Sequence, residues 1–165
     1  MRRLVSLMLL AGVACVWSAT AGAQATKFTG TCTCKTAAQH ALAVGDRPDH
    51  NLGADQYKCD WTKPFDIGGD KTKDGVATDT FEGSGNHGRF RGIHVVTLAS
   101  GTRVSLPYQG TSTSKDGKPV ASKGTFAFAD GGGKLKGIKG KGTFSCAAGS
   151  DALKCDVEGE YELAK

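Results

Sequence analysis

His94, His40, Tyr108, Trp61 and Glu82 are the side chains whose types and strand positions suit ligand binding or proton transfer. His94 shares a two-residue phase with Phe90, Val96 and Leu98. Side chains alternate between the faces of a strand, so this phase points His94 inward. A neutral imidazole there can bind a polar group or move a proton; a core histidine satisfied by a hydrogen bond is the alternative. His40 shares its phase with Leu42 and Val44 and carries the same pair of readings. Tyr108, in phase with Val104 and Leu106, offers a hydroxyl to an interior or packs there with one hydrogen bond. Trp61, in phase with Tyr57 and Cys59, completes the inward set. Glu82 ends a strand whose facing is ambiguous, because Phe81 and Val76 claim opposite faces. Buried, it would be a candidate acid; at a rim it would be solvated. No catalytic residue is assigned. His50 and His87 fall in polar turns and are expected in solvent, and Arg89 and Arg91 lie on the face opposite His94.

Other letter patterns carry no chemistry. Gly83-Ser84-Gly85-Asn86-His87-Gly88 matches a dinucleotide fingerprint, but Arg89 to Leu98 reads as a strand and not as the helix that would aim amides at a pyrophosphate. The glycines from Gly131 to Gly142 lack the Gly-Lys-Ser/Thr ending of a phosphate loop. Ser84 lies near His87, yet no acid or oxyanion helix accompanies them, which argues against a hydrolase.

Six cysteines are present, and five of them, Cys32, Cys34, Cys59, Cys146 and Cys155, lie beyond an N-terminal leader. Cys146 and Cys155 fall on the apolar phases of consecutive strands, so a hairpin would bring them into disulfide range. Either Cys32 or Cys34 joins Cys59, with Cys34 preferred, and one thiol stays unpaired. A thiolate metal site is the competing reading of Cys32, Cys34 and Cys59. The Cys-x-Cys spacing is not the usual knuckle, and no metal or other cofactor is expected.

The elements that must position these groups are strands. From Lys118 to Glu162 the side chains alternate in two-residue steps: Phe126 with Phe128, Phe144 with Cys146, and Cys155 with Val157, Gly159 and Tyr161. Sustained helical periodicity is missing after the leader, and the 24 glycines read mostly as punctuation between short strands. Candidate strands are 28–35, 39–44, 55–61, 75–82, 89–98, 103–112, 120–129, 140–146 and 153–163. Short connections such as Ser84-Gly85-Asn86 and Ser100-Gly101 favour a meander of hairpins. The expected fold is all-β, a small eight-stranded antiparallel barrel, closed so that no edge remains exposed.

Met1-Arg2-Arg3, the apolar run from Leu4 to Val16 and the small residues at Ala21 to Ala25 form a secretory leader, expected to span residues 1–25 with a single barrel domain over 26–165. The apolar run is shorter than the roughly 20 residues of a membrane span, so stable membrane insertion of the mature chain is not expected. Export to the periplasm or medium is. The formal charge of +5 falls to +3 without Arg2 and Arg3. Lys134, Lys136, Lys139 and Lys141 cluster without interleaved aromatics, the mark of a solvated turn and not of a nucleic-acid surface.

The succession Gln39 to Asp46, Trp61-Thr62-Lys63-Pro64-Phe65, Gly92 to Gly101 and Gly133 to Phe144 resembles exported bacterial members of the allene oxide cyclase barrel-like group, to whose broad class the plant dirigent proteins belong. The resemblance extends from about His40 to Glu162. It implies an eight-stranded antiparallel barrel with an internal cavity. The plant cyclases bind a fatty-acid epoxide and the dirigent proteins guide radical coupling. Three functions are expected: binding of a small apolar ligand in the barrel cavity, a cyclase or isomerase in which His94, His40 or Tyr108 moves a proton, and a structural module whose exterior strands form a homo-oligomer.

Overall fold

A computed structural model describes residues 24–115 and 118–164. The expected leader lies almost entirely outside the described residues. The long strands are β1 (Thr26–Ala43), β2 (His50–Lys63), β4 (Asp70–Ser84), β5 (His87–Leu98), β6 (Arg103–Lys115), β7 (Lys118–Phe128), β9 (Lys139–Ala148) and β10 (Leu153–Glu162). Two-residue strands β3 (Asp66–Ile67) and β8 (Asp130–Gly131) lie in the connections between them. The long strands pair in chain order, all antiparallel, and β10 returns to β1, so the sheet closes into the expected eight-stranded barrel.

The two N-terminal segments expected at 28–35 and 39–44 are one strand. A register shift between Thr36 and Ala38 against β2 divides it. A bulge inserts one residue and exchanges the faces beyond it. Before the bulge Phe28, Cys32 and Cys34 point inward; after it Gln39 and Ala41 do. His40 is thereby turned to the exterior together with Leu42, which is 77% exposed, and the expected inward placement of His40 is corrected.

Many glycines are not punctuation. Six phenylalanines stand directly opposite a glycine on the neighbouring strand: Phe28 on Gly159, Phe81 on Gly53, Phe90 on Gly110, Phe126 on Gly142, Phe128 on Gly140 and Phe144 on Gly124. Each ring lies where a Cβ would otherwise stand. At Gly142 that Cβ would collide with Phe126 Cζ. Small barrels fill their interiors by alternating large and small residues in this way. The rings then reach one another, as in the stack of Phe28 on Phe65 with centroids 4.2 Å apart and the edge contact of Phe28 with Phe128 at 5.9 Å. Such pairs add roughly 0.5–1.5 kcal/mol beyond area burial.

One end of the barrel is plugged. The connection holding β3 brings in Phe65 and Ile67; the one holding β8 and a single 3-10 turn (Gly133–Leu135) brings in Leu135 and Ile138, all buried. Their backbone is satisfied locally: Phe65 N–H donates to Thr72 Oγ1 at 3.2 Å, Thr72 N–H to the Phe65 carbonyl at 3.0 Å, and Gly68 N–H to the Tyr161 hydroxyl at 3.0 Å. Lys134, Lys136, Lys139 and Lys141, in this connection and the start of β9, are all exposed. The opposite end, where β1–β2, β4–β5, β6–β7 and β9–β10 turn, has no such plug among the described residues.

Candidate functional site

The inner positions near the open end carry little bulk. Ala41, Gly83, Gly88, Ser112, Ser114 and Ser122 line the mouth of a cavity of about 460 Å³. Deeper, its walls are Phe81, Phe90, Leu106, Phe126, Phe144 and Val157. Phe90, Tyr108 and Phe144 form an aromatic wall with centroids 6.0 to 6.1 Å apart.

Two carboxyl groups enter this apolar space. Asp55 of β2 and Asp79 of β4 are directly opposite in register, and both face inward at 8% and 7% exposure. Each receives a phenol: Tyr57 donates to Asp55 Oδ2 at 3.0 Å, and Tyr108 donates to Asp79 Oδ2 at 2.6 Å. Burial disfavours the charged form. It pushes the Asp79 carboxyl from 3.8 up to about 6; the Tyr108 hydrogen bond opposes this and the neighbouring Asp55 adds to it. Burial likewise raises Asp55, against hydrogen bonds from Tyr57 and Gln39. Both tyrosines are held far above their ordinary range, by burial first and then by the carboxylates beside them. They remain hydrogen-bond donors at any physiological pH.

His94 stands on the same wall. Burial alone pulls its imidazole down to about 4, so the ring is neutral near pH 7. Its plane is nearly parallel to that of Trp61, with centroids 6.3 Å apart. His94 Nε2 also lies where a Cβ on Gly75 would be, 2.5 Å away, so glycine at 75 makes room for the imidazole. Asp55 Oδ1, His94 Nε2 and Trp61 Nε1 are buried with no hydrogen-bond partner among the described residues. Leaving a buried polar atom unpaired costs roughly 1–3 kcal/mol. Two of these three atoms, on Asp55 and His94, belong to cavity-lining residues.

Among the candidates named from sequence, His94 and Tyr108 meet in this cavity, while Trp61 lies beneath it beside Phe65 in the plugged half. His40 is outside. Glu82 points to the exterior rim, where its carboxylate meets His50 Nε2 at 3.1 Å; the other nitrogen of His50 meets Asp46 Oδ1 at 2.6 Å. His50, expected in solvent, is instead buried between two acids that raise its pKa, Asp46 foremost. Asp55, Asp79 and Tyr57 were not among the candidates. The inward phase of Tyr57, Cys59 and Trp61, extended back one step, does reach Asp55.

The sulfur groups complete the wall. Cys34–Cys59 and Cys146–Cys155 are disulfides joining directly opposed strand positions, the second as expected from phase and the first with the preferred Cys34, and among the described residues Cys32 is the free, buried cysteine. No helix among the described residues is long and apolar enough to cross a membrane.

No protein-family model matches the chain, and no curated protein matches it. Solved structures do. A protein of unknown function of the DUF3224 family from Shewanella oneidensis MR-1 is similar at 16% identity, with a TM-score of 0.51 over 86% of this chain and 99% of that one. A conserved protein of unknown function from Rhodopseudomonas palustris gives 12% identity and a TM-score of 0.52, covering 83% and 98% of the two chains. A pterocarpan synthase dirigent protein gives 11% identity and a TM-score of 0.50 over 99% of this chain and 98% of that one. At these identities the likeness is one of fold, the barrel that the sequence resemblance implied.

Proposed function

We propose that this protein is an exported barrel that takes a small, largely apolar molecule carrying one polar group into its open end. The leader pattern and the two disulfides support export. The observation that carries the binding reading is an aromatic-lined cavity whose wall holds unpaired buried atoms, Asp55 Oδ1 and His94 Nε2. Binding pockets of this kind are mostly apolar with a few convergent polar groups that fix orientation. A hydroxyl on the ligand would donate to Asp55 or His94 while the phenylalanines cover its apolar body. Thermal-shift measurements with phenolic and lipid panels test this, using an Ala41→Trp variant that fills the mouth from an inward position. The expected result is a raised Tm for wild type and none for the variant. A panel that leaves wild type unmoved, or moves both proteins equally, refutes the reading.

One arrangement favours a second reading, an isomerase or cyclase acting on the same ligand class. Asp79, half protonated near pH 6 and held by Tyr108, is poised as a general acid, with Asp55 and neutral His94 lining the same cavity. A bound ligand recovered unchanged from wild type and from Asp79→Asn alike would remove this reading and leave the first standing.

A further inference from the structure

The five cysteines beyond the leader form one row across four adjacent strands. Cys59 on β2 opposes Cys34 on β1, Cys32 on β1 opposes Cys155 on β10, and Cys155 opposes Cys146 on β9. The sulfurs of Cys32, Cys34 and Cys155 all lie within 4.8 Å of one another, and Cys32 Sγ is 3.8 Å from Cys34 Sγ. A free thiol therefore sits between two disulfides, in contact range of each.

Register decides which of them it can exchange with. Cys32 and Cys34 are two apart on one strand and point the same way, whereas Cys32 and Cys155 are cross-strand partners. A strand residue that forms the close pair with one neighbour forms the wide pair with the other. Cys155 is the close partner of Cys146, with Cα atoms 4.0 Å apart, so it is the wide partner of Cys32. Wide pairs separate Cα atoms by about 5.5 Å, inside the roughly 4.4–6.8 Å span that a disulfide bridges.

We infer that Cys32, Cys155 and Cys146 form an internal thiol–disulfide exchange site that moves the free thiol from a buried position in the core beside the ligand cavity to the cavity wall. The Cys32 thiolate displaces Cys146 Sγ from Cys155 Sγ. The Cys32–Cys155 bond forms, the Cys146–Cys155 bond breaks, and Cys146 leaves as a thiolate that takes up the proton Cys32 gave up. One thiol and one disulfide stand on each side, so no oxidant or reductant is consumed. The consequence is positional: Cys146 lines the cavity, whereas Cys32 is not among its lining residues. After exchange the cavity presents a nucleophilic sulfur to whatever occupies it. Cys34–Cys59 is untouched by the step and keeps β1 and β2 joined.

Burial pushes the Cys32 thiol up to about 12, with the nearby Asp156 charge adding to it. Exchange runs through the thiolate, so it is slow at neutral pH and gains with rising pH. The test incubates folded wild-type protein and a Cys32→Ser variant with N-ethylmaleimide at pH 9, followed by acid quenching and peptide mapping without reductant. Expected in wild type are a Cys146 adduct and a Cys32–Cys155 linked peptide, both lost in the variant. A Cys146 adduct equal in the two proteins overturns the inference, as does wild type in which Cys146 stays unlabelled throughout. A Cys146→Ser variant gives an independent reading. It is expected to form the Cys32–Cys155 disulfide and retain Cys34–Cys59; Cys32 and Cys155 both alkylated after oxidation would count against the site.

Discussion

The carboxyl of Asp79 makes a pH-dependent difference to stability that one atom's change should remove. In the folded chain it titrates at about 6 instead of 3.8, because burial among phenylalanines outweighs the hydrogen bond from Tyr108. A raised carboxyl pKa means the folded state holds the proton more tightly than the unfolded chain does. The site therefore contributes its full relative stability below about pH 4 and loses it as pH rises to about 6 and beyond. At 1.36 kcal/mol per pH unit the difference between 3.8 and about 6 is worth about 3 kcal/mol. Water reaching the site through the open end of the cavity screens the charge, which brings the expected effect to about 1–2 kcal/mol. Asp79→Asn keeps the shape and an oxygen that accepts from Tyr108 but does not titrate. Urea unfolding of both proteins at pH 4 and pH 7.5, disulfides intact, isolates the effect. The variant should gain about 1–2 kcal/mol relative to wild type between the two pH values. A wild-type-minus-variant difference that is the same at both, or that moves in favour of wild type as pH rises, would show that Asp79 is solvated and that the apolar wall does not govern its proton.

Gly142→Ala places a methyl against Phe126 and the Glu158 carbonyl, and should cost about 3 kcal/mol in chemical denaturation, the scale of overpacking a core; Gly85→Ala, in an open turn at φ 58°, should cost only about 1 kcal/mol. Removing Cys34–Cys59, which spans 25 residues, should destabilise by about 3–4 kcal/mol, and removing Cys146–Cys155, which spans 9, by about 2–3 kcal/mol, because the longer loop restricts the unfolded chain more. The order of the two losses in urea is the checkable result. His50 is raised by Asp46 and Glu82, so its contribution is complete below its ordinary 6.5 and is lost as pH passes through the higher folded value. NMR titration should place His50 above 6.5 in wild type and lower in Asp46→Asn, with faster amide exchange in residues 44–49 once the ring is neutral.

Alternation made most of the barrel legible. The inward phases of β5, β6, β7, β9 and β10 run unbroken through Phe90, His94 and Val96, through Val104, Leu106 and Tyr108, and through Cys155, Val157 and Tyr161, and the structure keeps each of them. The same regularity paired Cys146 with Cys155 and brought Cys59 to Cys32 or Cys34, which share one phase; only the register selects Cys34. Where one residue interrupts the period, every phase beyond it inverts. The bulge in β1 falls within Thr36-Ala37-Ala38, three residues that carry no contrast of hydrophobicity to betray it, and His40 changes face as a result. Glycine misleads for a different reason. In one dimension a mid-strand glycine looks like a turn; only the register shows that Gly142 and Gly124 are spaces reserved for Phe126 and Phe144.

The acid pair was hidden by the rule that revealed the fold. An aspartate inside a strand is ordinarily assigned to the solvent face, and neither Asp55 nor Asp79 is anomalous until both are seen to occupy inward positions opposite each other. A site of this kind breaks the pattern that builds its scaffold, because a barrel gains stability from every inward apolar residue and loses it at every inward charge. The cavity obeys the same logic. Phe28 and Phe128 lie over glycines in the plugged half, Phe81, Phe90 and Phe144 lie over glycines as walls of the cavity, and above them the inner phases hold only Ala41, Gly83, Gly88, Ser112, Ser114 and Ser122. Small residues on an inward phase forgo burial energy that larger ones would supply. Their concentration at one end, beside two carboxyls that burial penalises, costs stability and is what the proposed ligand would require.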